Sequence, residues 1–123
     1  MTILQAIAQI DSLKHNTYTR ADKIAWLSRV DETVKAVLCD THEGTQADFE
    51  AYDENTPAET VLLVPPPFDE MYLRYLEAQI DYHDGEYGRY NNAITMFNSC
   101  FADYAAHYTR THMPLSAGTC FRF

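Results

Sequence analysis

The chain has 123 residues, of which 46% are hydrophobic, 22% charged and 13% aromatic, and its formal net charge is −9. That length fits one domain able to bury roughly two thirds of its unfolded surface. Nine lysines and arginines scattered along the sequence supply no basic groove for phosphates, which argues against direct nucleic-acid binding and against adhesion to an anionic membrane.

Thr2 and Gln5 form the S/T-x-x-E/Q pattern of a capping box, so a first helix is expected from Thr2, with Ile3, Ile7, Ile10 and Leu13 as its apolar stripe. Residues 15–18 read as a loop. Thr19, with Asp22 three residues on, caps a second helix. Its stripe, Ile24, Leu27, Val30, Val34, Val37 and Leu38, runs to about Asp40 or Thr41, with Trp26 just off it and Gly44 closing the element.

From residue 45 to 60 the chain turns polar and acidic, with Phe49 and Tyr52 its only large apolar groups. An exposed loop that gains order against a neighbour is expected there. Val61, Leu62, Leu63 and Val64 make a short β-favouring run, and Pro65, Pro66 and Pro67 an extended one without backbone donors. Such a segment is expected to lie across the helices or to pair with another chain.

The most informative stretch spans residues 73–108. Leu73, Leu76, Ile80, His83, Tyr87, Tyr90, Ile94, Phe97, Phe101, Tyr104 and Tyr108 recur at alternating gaps of three and four, the spacing of one helix face. Gly85 interrupts it where a left-handed residue ends a helix. Pro67 suits the first turn of a third helix, which runs to about His83, and a fourth runs from about Glu86 to His112 before Pro114 stops it. The text around Gly85 looks like the turn of a tetratricopeptide repeat, but a single unit is evidence for a hairpin and not for an array. The expected fold is all-α: a small helical bundle with a long C-terminal hairpin (68–113), two N-terminal helices (1–42), an acidic loop and extended segment (43–67) and a C-terminal tail (114–123).

Chemistry leaves few marks. His42-Glu43 lacks the second histidine of HExxH, no Glu-x-x-His occurs, and no GxSxG, Walker or GxGxxG motif is present. The pairs Asp11/His15 and Asp103/His107 read as solvated surface neighbours. Glu70, Glu77, Asp81 and Asp84 read as a solvated acidic face, with Glu70 paired to Arg74. Cys39, Cys100 and Cys120 show no metal or redox spacing and read as reduced thiols, and the N-terminus lacks the pattern of a secretion signal. An enzyme is not expected, nor a bound cofactor or metal. Tyr72, Tyr75 and Tyr82, with Met71 and Met96, lie off the main stripe, and a second apolar face of this kind points to a contact with a partner or a sister copy.

Residues 75–82 (YLEAQIDY), 85–92 (GEYGRYNN) and 108–114 (YTRTHMP), with Ile24-Ala25-Trp26-Leu27 and the junction from Leu63 to Asp69, resemble the head–tail connector (adaptor) family of tailed bacteriophages. The resemblance covers nearly the whole chain and is a pattern of text without a catalytic signature. It implies a virion protein, assembled in the host cytoplasm, that forms a ring of typically twelve copies at the phage neck. Such a ring joins the portal protein to the next neck (stopper) or tail-completion protein. DNA passes through its channel without specific binding, and no membrane is involved. By the same resemblance the tail, with Pro114, Leu115, Cys120, Phe121, Arg122 and Phe123, docks on the portal. The acidic loop with Phe49 and Tyr52, and the run Val61, Leu62, Leu63 and Val64, then become candidates for contacts between subunits, beside Tyr72, Tyr75 and Tyr82. The alternative is a small helical protein-binding module, such as a tetratricopeptide-like scaffold or an antitoxin.

Overall fold

The computed structural model describes residues 1–39 and 51–111. Its regular elements are α1 (Ile3–Leu13), α2 (Arg20–Val34), α3 (Glu70–His83) and α4 (Tyr87–Thr111), and a π turn, Lys35–Cys39, continues α2. Among the described residues there is no strand, only an isolated antiparallel bridge between Thr2 and Val61. The fold is an all-α small helical bundle.

Local signals set the helix starts. Thr2 Oγ1 accepts the Gln5 amide at 3.2 Å and Gln5 Oε1 accepts the Thr2 amide at 3.0 Å, which satisfies two of the orphan donors of α1. Thr19 Oγ1 caps α2 by accepting the Asp22 amide at 3.2 Å. The third helix begins later than the sequence suggests. Its cap is Asp69, and Pro67 lies in the turn ahead of it, where Phe68 donates to the Pro65 carbonyl at 3.0 Å.

Gly85 marks a full reversal. It sits at φ +80, with its amide on the Tyr82 carbonyl at 3.1 Å and the Glu86 amide on the Asp81 carbonyl at 2.9 Å. These two bonds are the Schellman pattern, which takes up carbonyls the end of α3 would leave bare. The ring pairs Tyr82–Tyr90, Tyr75–Phe97 and Phe68–Tyr104 then climb α3 as they descend α4, so the two helices are antiparallel.

The core lies between α1, α2 and α3. Ile3, Ala6, Ile10, Ile24, Leu27, Val30, Val34, Leu76 and Ile80 are buried there, joined by Leu62 and Val64 from the extended segment. Leu13, assigned to the stripe of α1, is 69% exposed, because the core ends one turn earlier. Trp26 is buried at the edge, stacked on His83 and met edge-on by Tyr18.

Candidate functional site

One carboxylate organises the long loop. Asp31 is fully buried on α2, where it accepts the Tyr72 hydroxyl at 2.5 Å, the Tyr52 hydroxyl at 2.6 Å and the Leu63 amide at 3.1 Å. The Tyr72 oxygen in turn accepts the Val64 amide at 2.8 Å. Burial raises the Asp31 pKa, partly offset by these donors, and burial also raises the phenols of Tyr52 and Tyr72, reinforced by the Asp31 charge. Ser28 Oγ accepts the Tyr52 amide, and the amides of Ile3, Leu4 and Leu62 donate to the carbonyls of Thr60, Ala58 and Met1. These bonds tie the described part of the loop to the helices of its own chain.

The expected interface positions lie at different depths. Tyr52 is half-buried with its hydroxyl on Asp31, while Leu62, Val64 and Tyr72 are core residues whose apolar surface is already covered. Met71, also assigned to a second face, is fully buried. Leu63 is half-buried, and Tyr75 packs on Phe97 with ring centroids 5.1 Å apart. Val61, 67% exposed, and Tyr82, 49% exposed, are the expected interface residues that do face outward. Phe49 and the tail residues Pro114, Leu115, Cys120, Phe121, Arg122 and Phe123 lie outside the described residues.

The acidic face of α3 is also less uniform than expected. Glu70 pairs with Arg74 at 3.0 Å, as its spacing implies, but Asp81 is buried and bound to Lys14 at 2.7 Å. Asp84 accepts the Tyr18 hydroxyl at 2.6 Å, and that bond pushes the Tyr18 pKa up to about 12. Asp11 holds the buried Lys23 at 2.6 Å and also accepts the Asn16 side-chain amide at 3.1 Å. Among the described residues no three metal-ligating side chains converge.

The hairpin leaves much of its apolar surface uncovered. Of the 25 residues of α4, only Ala93, Tyr104 and Tyr108 are buried. Ile94, Phe97 and Phe101, expected in the core, are half-covered, and Met96 is 46% exposed. The reason is topological: the backbone of α4 runs beside α3 and the π turn, with Phe68 packed on Tyr104 and His107, and stands off from α1 and α2. A groove of about 370 Å³ therefore runs between α2 and α4, with Arg29, Val30, Glu32 and Thr33 on one wall and Tyr75 and Phe97 on the other. Cys100, half-buried on the same helix, has its thiol pKa raised, first by burial and then by the Glu70 charge, which favours the protonated thiol. At the hairpin tip Tyr82, Tyr87 and Tyr90 form an aromatic cluster, with Tyr87 61% exposed. No helix among the described residues is long and apolar enough to cross a membrane.

Comparison of the chain with family models, with curated proteins and with solved structures found no match. The residue that sequence reasoning missed is Asp31. Its signal was present: Ile24, Leu27, Asp31, Val34 and Leu38 are spaced three and four apart, which places Asp31 where an apolar residue was due. Its partners were not legible, because Tyr52 and Tyr72 lie 21 and 41 residues away.

Proposed function

We propose that the chain is a structural, non-catalytic subunit of an oligomeric ring at the phage neck, joining the portal to the tail-side proteins and extending the DNA channel. The observation that carries the reading is α4, a 25-residue helix with three buried side chains. A helix so little covered in one subunit, lined by Ile94, Met96, Phe97 and Phe101, is what a chain leaves open when another copy completes the packing. The resemblance of the sequence to head–tail connectors supplies the kind of assembly. A net charge of −9 suits a lumen that lets DNA slide, since like charge repels the phosphates.

The test is reconstitution. The purified chain, mixed with the portal protein of the phage that encodes it, is expected to form a ring on the portal visible by electron microscopy. Deleting residues 115–123 is expected to leave the helical content unchanged and to abolish portal binding. No portal binding by the full chain, together with a fixed small complex with some other protein, would replace this reading by the binding-module alternative.

A further inference from the structure

The ring reading does not say which surfaces meet, but one hollow and one projection on the chain match in chemistry. Tyr18, Asp22, Ala25, Trp26, Arg29 and His83 line a hollow of about 300 Å³ beside the end of α3. Asp22, Ala25, Trp26 and Arg29 fall at i, i+3, i+4 and i+7 of α2, so they share one helix face. The aromatic wall is held in place. Trp26 stacks on His83 with 11° between the planes, and Tyr18, whose hydroxyl donates to Asp84, meets Trp26 edge-on. Ala25 is exposed and short, which leaves the space open. The exposed charges of Asp22 and Arg29 stand at its two ends, ~10 Å apart along the helix. Neither is in an ion pair among the described residues.

The projection is the first turn of α4. Tyr87 is 61% exposed, more than any other Tyr, Phe or Trp among the described residues, and it leans edge-on against Tyr82. Glu86 precedes it and Arg89 follows two residues on, both exposed and both outside any ion pair among the described residues. None of the other exposed large apolar side chains has both a carboxylate and a lysine or arginine free of ion pairs within two residues of it.

We propose, resting on the ring reading, that the hairpin tip of one copy seats in this hollow on the next, with the Tyr87 ring over Ala25 and the edge of Trp26, Arg89 facing Asp22 and Glu86 facing Arg29. On a chain of net charge −9 most approaches of two copies bring acid to acid. This one brings each charge to its opposite and lays the barest ring against a preformed aromatic wall. Exposed ion pairs add little affinity, so they select the register while the ring supplies the burial. Hollow and tip share no residue. The contact is therefore heterologous, passes from copy to copy and closes into a ring when the rotation permits.

The experiment uses the full chain, whose one tryptophan reports on the hollow directly. Tyr87→Ala and Arg29→Glu, both at exposed positions, are compared with the parent once circular dichroism and thermal melts show that each folds. Native mass spectrometry over a concentration series is expected to show self-association of the parent, weakened by more than about tenfold in either variant. Trp26 emission is expected to shift as the parent associates. Adding Glu86→Arg to Arg29→Glu exchanges the charges and is expected to restore association to within about threefold of the parent. Where the parent assembles only on the portal protein, the variants are compared in that assembly. A single variant that assembles as the parent does, or a double variant no better than Arg29→Glu, overturns this contact and leaves the ring reading standing. A parent chain that stays monomeric at every concentration, alone and with the portal protein, removes both.

Discussion

At the scale of single residues, Asp31 is a fully buried carboxylate that accepts three hydrogen bonds. It ties α2, α3 and the loop to one buried point through Tyr52, Tyr72 and the Leu63 amide. Asp31→Ala strands three donors in the core and is expected to cost about 3–5 kcal/mol in urea unfolding. Its titration has a definite sign. The folded pKa is raised above the ordinary value of 3.8, so the folded state binds this proton more tightly than the unfolded chain does. The corresponding stability is fully present below pH 3.8 and is lost as pH rises through the folded pKa. Asp31→Asn, which cannot titrate, is expected to remove that part of the pH dependence when unfolding free energies are compared across the acid range. Tyr18 gives an independent check on the tertiary contact to the hairpin tip. Asp84→Asn is expected to bring its pKa from about 12 back toward 10.0, read by ultraviolet difference titration. Gly85→Ala places a Cβ at φ +80 and is expected to destabilise by about 1 kcal/mol through conformation alone, because nothing lies within 4 Å of that atom.

At the scale of elements, the parts of the fold set by neighbours in sequence were legible. The Thr2–Gln5 box, the Thr19 cap and the helix end at Gly85 each act over a few residues, and each appears where the text placed it; that Gly85 makes a full reversal and not a kink came from the structure. Depth was not legible. The same three-and-four spacing runs through Leu76 and Ile80, which are buried, and through His83 and Tyr87, which are exposed. Periodicity says which side of a helix is apolar; how much of that side is covered depends on how many other elements reach it. Among the described residues α3, the π turn and Phe68 pack on α4, and the loop closed on α2 through long-range tyrosines that no local pattern announces. Phe97 shows the difference. Buried on every side it would cost about 3–5 kcal/mol to truncate. Half-covered and lining the groove beside Tyr75, Phe97→Ala is expected to cost about 2 kcal/mol by urea titration and to leave the fold intact.

At the scale of the whole molecule, the account couples two facts: a surplus of −9 charge and a long helix left half bare. Charge opposes assembly and the bare helix favours it, so salt should decide between them in a known direction. Raising ionic strength screens the repulsion between copies and leaves apolar contacts untouched. Self-association through the apolar side chains of α4 is therefore expected to strengthen with salt, whereas a contact built on ion pairs would weaken. The most direct measurement is sedimentation velocity of the full chain over a rising concentration series, at low and at high salt. The account predicts conversion of the 14.1 kDa monomer to one discrete closed oligomer, at lower protein concentration when salt is high. A single monomeric boundary throughout, with the portal protein present or absent, would contradict it.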